Sequence, residues 1–308
     1  MKFLTMEEQL KYYRNKRIKK QTLESYFLSA GFQYIEPSVF SPYTRQLIQD
    51  NGRELSLVKV IDGRGEIFTM RGDMTAGIIE QIGQQAIESK EVKLYYDGKV
   101  FMTSKTGQVT TRDQMGVEWI GGDVSISTQA LIRLSAQAML HQQEKVVVEI
   151  SHIAYFLGLV KTFDVKKACV PRLQQLLNSK NEDDLETYLL INNYSEECVS
   201  AFKEILTLQG SWLELESRLS GKEDFISQRV LSDLRGVEEG LQTMEANGEV
   251  HFDLSIIPSY DYYTGVVFKG FSTKNYDELI SGGQYLIETG KGRKIKAVGF
   301  SLYEGALQ

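Results

Sequence analysis

LYYDGKVFMTSKTGQVTTRDQMGVEWIG, Leu94–Gly121, sets two strand-like arms on either side of the polar stretch Thr103–Thr111. Asp97-Gly98 by itself suits a tight hairpin turn. The alternative is a single long strand, with the turn in Thr103–Thr111. Gln114 and Glu118 stand four residues apart, so on a strand they share one face. That pair fits an exposed polar surface, and equally a pair of groups aimed at a polar ligand.

Working outward, residues 6–31 read as a helix with Leu23, Tyr26, Phe27 and Ala30 on one side and Gly31 as its stop. Phe32–Phe40 follows as a strand, and Pro37 within it implies an edge or an interface position. Leu57–Ile61 and Glu66–Met70, joined by Asp62-Gly63-Arg64-Gly65, form a hairpin. Thr75 is placed to cap a helix whose inner face is Ile78, Ile79, Ile82 and Ala86. A helix near Ser127–Gln142 leads to the strand Val146–Ile150. From residue 155 to 245 apolar positions recur at helical spacing, as in Leu173, Leu176, Leu177 and Leu185, Tyr188, Leu189. Arg229–Met244 reads as a returning helix, and strands resume at His251–Ile257, Tyr263–Phe268 and Ala297–Ser301. The expectation is an α+β fold: an antiparallel sheet flanked by helices, built from residues 1–154 and 246–308 and interrupted by a helical insertion, 155–245.

Composition narrows the function classes. The 308 residues are 42% hydrophobic and 25% charged, ordinary for a soluble globular chain. No apolar run approaches the roughly 20 residues needed to span a bilayer. The N-terminus mixes acids with bases and lacks an apolar signal core, so a cytoplasmic protein is expected. Cys169 and Cys198 form no Cys-x-x-Cys pair and read as reduced thiols, while His141, His152 and His251 lack metal spacing. No metal or cofactor is expected. Net charge is −6, with Arg14–Lys20 the dense basic run, a balance that disfavours nucleic acid.

Several separated segments carry a family signature. Phe32–Phe40 holds Pro37. Residues 68–75 read FTMRGDMT, residues 98–118 carry Gly98, Phe101, Gln114, Gly116 and Glu118, and residues 261–268 read DYYTGVVF. A weaker match is SGGQY, 281–285. In this order they resemble the catalytic core of histidyl-tRNA synthetase, a class II aminoacyl-tRNA synthetase. The resemblance implies that residues 94–121 are a strand–loop–strand unit, with a bulge in one long first strand. It implies a dimer interface at Pro37 and a histidine-binding pocket at Asp73, Thr75, Gln114, Glu118, Tyr262 and Tyr263.

The chemistry of free histidine suits those side chains. An ammonium wants carboxylate and amide-oxygen acceptors, which Asp73, Thr75 and Gln114 offer. An imidazole N–H wants a carboxylate or phenol, which Glu118, Tyr262 and Tyr263 offer. Taken singly, Asp73 and Thr75 also read as a helix cap, and the two tyrosines as core or surface aromatics.

The departures from the signature decide the function. The family's first strand runs G-x-x-F-R-x-E, whereas this chain has Met102 and Ser104 at the arginine and glutamate positions. Pro258 stands where R-G-x-D-Y-Y carries an arginine, and residues 299–306 lack the arginine of G-F-x-x-G-x-E-R. Removing one donor to a developing charge typically costs roughly 3–4 kcal/mol, about a thousandfold in rate. Lys105 and Arg112 are left to hold a ligand carboxylate. The sequence ends at Gln308, where synthetases continue into an anticodon-binding domain. This combination resembles the regulatory subunits of ATP phosphoribosyltransferase. That family implies no catalysis by this chain, a short-form catalytic subunit as partner, and a dimer within a hetero-octamer. It also implies free histidine as feedback signal for the first step of histidine biosynthesis, and neither tRNA nor membrane as partner. The rival readings are a stand-alone amino-acid sensor or RNA-binding module of synthetase descent, and an active histidyl-tRNA synthetase.

Overall fold

Thr5 and Glu8 exchange hydrogen bonds in a capping box that starts helix α1 (Met6–Ser29). Leu23 and Phe27 on its inner side are fully buried. The structure is a computed structural model and describes residues 5–43, 57–84, 91–104, 106–141, 146–222, 224–241, 248–258, 262–274, 277–288, 292–303 and 306. The single strand expected over 32–40 is instead two short pieces, β1 (Gln33–Tyr34) and β2 (Phe40–Pro42), in different sheets. Ile35 donates to the Tyr95 carbonyl, and then the chain leaves the large sheet. Pro37 has no N–H to continue a ladder; its carbonyl accepts from Arg71 Nη1 at 2.6 Å.

The expected hairpin is present as β3 (Lys59–Ile61) and β4 (Ile67–Met70), which pair in a three-stranded sheet with β2. Asp62 Oδ1 accepts from the backbone N–H groups of Arg64 and Glu66, and Gly65 takes φ +85°, which a side chain would resist. Helix α2 (Met74–Gln84) follows. Its cap is Asp73, whose Oδ1 accepts from Ala76 N at 2.8 Å, and not Thr75. The predicted inner-face residue Ala86 lies outside the described residues.

β5 (Glu91–Thr103) and β6 (Val109–Gly121) pair without interruption from Glu91–Gly121 to Thr103–Val109. The long strand is therefore present and the bulge is not; Asp97-Gly98 runs straight through the ladder. The pair sits in a nine-stranded sheet of order β1-β5-β6-β12-β11-β10-β7-β9-β8. Its members include β7 (Val146–His152), β8 (Gln209–Gly210), β9 (Gly248–Asp253), β10 (Tyr263–Ser272), β11 (Glu278–Glu288) and β12 (Lys294–Leu302). Most neighbours are antiparallel, while β1–β5 and β7–β9 are parallel. β11 was not anticipated as a strand, although it lies in the middle of the sheet.

The helical region comprises α4 (Ile153–Thr162), α5 (Val170–Asn178), α6 (Glu182–Ile191), α7 (Glu196–Ile205), α8 (Trp212–Leu219) and α9 (Phe225–Leu241). Leu173, Leu177, Leu185, Leu189, Phe202, Leu215 and Leu219 bury its own apolar centre. It also joins the main sheet, because β8 pairs with β9. α9 packs on α3 (Val124–His141), where Gln129 Nε2 donates to the Gly236 carbonyl at 2.6 Å.

The two faces of the large sheet are unlike. Phe27 of α1 packs against Tyr95 and Phe300, so α1 covers the face that carries Tyr95, Val117 and Phe300. Gln284 Nε2 donates to Thr128 of α3 on that same side. The opposite face carries Tyr96, Gly98, Gln114, Gly116, Glu118, Gly299 and Ser301 in register, with the start of α2 above it.

Candidate functional site

Arg71 anchors the entry to α2, donating from Nε to the Lys99 carbonyl at 2.8 Å and from Nη1 to Pro37. Burial lowers its pKa, against the opposing pull of Glu36 and Tyr34. With that corner fixed, Asp73 and Thr75 are held over the sheet. Thr75 Oγ1 donates to Glu118 Oε1 at 2.6 Å, so its hydroxyl faces the strands.

Glu118 is 0% exposed. Its second oxygen accepts from Tyr285 Oη at 2.6 Å. Burial raises its pKa to about 8; the bonds from Thr75 and Tyr285 pull the other way, and Asp73 adds to the rise. Burial also pushes the phenols of Tyr96, Tyr263 and Tyr285 well above their ordinary range, so all three stay neutral. The site is thus an acceptor-rich, low-dielectric cradle holding one carboxyl group between hydroxyl donors.

Glycines make room for these side chains. Gly299 lies opposite Glu118, and Gly116 lies where a Cβ would come within 2.6 Å of Tyr96 Oη. Gln114 Nε2 donates to Ser301 Oγ at 2.6 Å, and Tyr96 Oη shares a 2.7 Å hydrogen bond with the same hydroxyl. The amide oxygen of Gln114 therefore remains available as an acceptor.

Tyr262 and Tyr263 close another side. Their ring centroids are 4.7 Å apart, and Tyr262 meets Tyr285 edge-on at 5.7 Å. Tyr262 Oη approaches Asp73 Oδ1 at 3.5 Å, a long contact. Asp73, Thr75, Glu118, Tyr262 and Tyr263 are thus gathered together, with Gln114 two steps along the same strand face. Pro37 lies elsewhere, buried within the chain close to Gly77 of α2. Arg112 is exposed on the same face as Gln114, and its charge lowers the otherwise raised pKa of Tyr303. Lys105 and Asp261 lie outside the described residues.

Three members of the cradle were not anticipated: Tyr285, Tyr96 and Ser301. Tyr285 closes the weak SGGQY match and Tyr96 sits inside the opening stretch, so both had a signal. Ser301 had none. Met102 and Pro258 occupy two of the positions where the synthetase signature has arginine. Among the described residues no group of three or more His, Cys, Asp or Glu is placed to hold a metal ion, and no helix is long and apolar enough to cross a membrane.

Residues 8–307 match the family model for histidyl-tRNA synthetase. An ATP phosphoribosyltransferase regulatory subunit from Caldanaerobacter subterraneus subsp. tengcongensis is 28% identical over 298 residues, 94% of this chain and 77% of that protein. One from Bacillus cereus is 25% identical over 292 residues, covering 92% and 69% respectively. An ATP phosphoribosyltransferase regulatory subunit/histidyl-tRNA synthetase from Bacillus halodurans has a similar structure, with a TM-score of 0.82 at 24% identity, covering 100% of this chain and 80% of that one. The ATP phosphoribosyl transferase (HisG:HisZ) complex from Thermotoga maritima matches with a TM-score of 0.71 at 18% identity, covering 95% and 97%. These likenesses establish the fold as that of class II synthetases.

Proposed function

The chain belongs to the histidyl-tRNA synthetase family, and from that membership we propose that it is a non-catalytic regulatory subunit of ATP phosphoribosyltransferase. Its partner is the short-form catalytic subunit, and its ligand is free histidine. The names of its relatives support the partnership. One observation carries the ligand: Glu118, wholly buried, has hydroxyl donors on both oxygens and, among the described residues, no cationic partner, in a cradle that lacks the signature arginines.

A histidine imidazole donating an N–H to Glu118 adds a stronger, charge-assisted partner to the two hydroxyl donors it already has. The ammonium meets Asp73 and the Gln114 amide oxygen, and Arg112 is the candidate to hold the carboxylate. Tyr262 and Tyr263 bound the ring. Such a site rejects analogues that leave its buried polar atoms unpaired. Activating the carboxylate is a different task, since ATP's phosphates and the transition state need positive charge. Met102 and Pro258 supply none. The same loss argues against an active synthetase.

Regulation then follows as a difference in affinity. Histidine favours the less active arrangement of the complex to the extent that it binds that state better, typically about 1–3 kcal/mol, and reciprocity makes the active arrangement the weaker binder. The candidate interface at Pro37, joining two copies of this chain, would form through the exposed neighbours Glu36 and Ser38, since Pro37 itself is buried within the chain. The test is to mix the chain with the purified short-form catalytic subunit. Phosphoribosyl transfer that rises on mixing and falls with added histidine supports the proposal. Salt-sensitive RNA binding without any effect on the transferase would favour the stand-alone module instead.

A further inference from the structure

Across the sheet from the histidine cradle, a groove of about 540 Å³ runs between α1 and strands β1, β5 and β6. It shares no lining residue with the cradle. Its floor is Asp113, 6% exposed, which collects the ammonium groups of Lys16 at 2.6 Å, Lys20 at 3.1 Å and Lys99 at 3.1 Å. The lining holds four cationic side chains against three carboxylates. The excess charge is placed at the mouth. Arg17 is exposed and makes no hydrogen bond or ion pair among the described residues. Lys99, also exposed, spends one of its three donors on Asp113. Tyr13 and Tyr34 flank the opening at 63% and 52% exposure.

We propose that this groove binds a small organic phosphate with a planar ring, of the nucleoside monophosphate class. The phosphate oxygens match the forked donors of Arg17 and the unspent donors of Lys99 and Lys20. The exposed tyrosine rings offer flat apolar surface for the base. The volume lies in the range of ordinary small-molecule sites. Asp113 keeps the lysines clustered without a ligand, where like charges would otherwise push them apart. The inference is independent of the histidine reading, because the two sites occupy opposite faces of β5 and β6.

The test is calorimetric titration of the full-length chain with adenosine 5′-monophosphate at low salt, with adenosine and inorganic phosphate as separate arms. Saturable binding of the monophosphate is expected, with phosphate competing weakly and adenosine alone failing to saturate. Arg17→Ala and Lys99→Ala, both at exposed positions and expected to keep the wild-type circular dichroism, should each weaken binding about tenfold, the loss of one charge-assisted contact. Glu118→Gln, on the other face, should leave it unchanged. Absence of saturable binding, equal binding of adenosine, or unaltered affinity in Arg17→Ala would overturn the proposal. A loss of binding in Glu118→Gln matching that in Arg17→Ala would do the same.

Discussion

Gly299 faces Glu118 across the β12–β6 ladder so closely that a Cβ on it would lie 1.7 Å from Glu118 Oε2. The carboxyl group occupies the space that a side chain at 299 would fill. Gly299→Ala must therefore push Glu118 off Thr75 and Tyr285 or open the ladder. We expect a destabilisation of about 1–3 kcal/mol, as for overpacked cores, together with loss of histidine binding. Thermal melts and a histidine titration of the variant check both.

Glu118 also predicts a pH dependence. Its folded pKa, about 8, is raised above the unfolded carboxylate range. Its contribution to stability is complete below the unfolded pKa near 4.3 and is lost as pH rises through 8. Without histidine, the melting temperature of the wild-type chain should carry a falling component between about pH 5 and 8, and Glu118→Gln should lack it. Parallel melts that keep the same slope would contradict this assignment.

Thr75→Val removes a donor to a fully buried carboxyl group while keeping its shape. The expected cost is about 1–3 kcal/mol, because the Glu118 oxygen is left unsatisfied. The pKa of Glu118 should rise further, moving the pH-dependent loss of stability upward. Tyr285→Phe acts on the other oxygen and should shift it in the same direction. Denaturant unfolding at several pH values measures both.

Asp113 behaves oppositely. Burial alone would raise its pKa, but hydrogen bonds from Lys16, Lys99 and Lys20 outweigh it and bring it down to about 2. Its contribution is present above the unfolded pKa near 3.9 and disappears as pH falls toward 2. Asp113→Asn should be less stable at pH 7 by roughly 1–3 kcal/mol, because Lys16, Lys20 and Lys99 lose the carboxylate they share, Lys20 keeping only Asp97. Its stability should fall less than that of the wild type between pH 4 and 2, as followed by circular dichroism.

Much of this arrangement was legible in the sequence because strand periodicity and motif order agree. Gln114 and Glu118 share a face in a strand, and that face is the one beneath Thr75. What escaped was written in small residues. β11 carries Gly282 and Gly283, poor strand formers read locally, yet a Cβ at Gly282 would come within 2.5 Å of the Gly299 carbonyl. The requirement is imposed by the neighbouring strand, which local propensity does not encode. Tyr285 lies on that strand, and the weak SGGQY match was its signal. Ser301 was invisible because its role is to be met by Gln114 and Tyr96, residues far away in the chain. Thr75 was taken for the cap because Asp73 and Thr75 are both good capping residues; tertiary contact with Glu118 decided between them. The segment around Pro37 failed as a strand for a local reason, the missing N–H.

The most direct test is calorimetric titration of histidine into the complex of this chain with the short-form catalytic subunit, using wild type and Glu118→Gln. Saturable binding is expected for the wild type, with protons released near pH 7 as Glu118 ionises against the imidazole, and binding at least about tenfold weaker in the variant. No saturable binding by the wild-type complex, or equal affinity in the variant, would contradict a histidine site built around that carboxyl group.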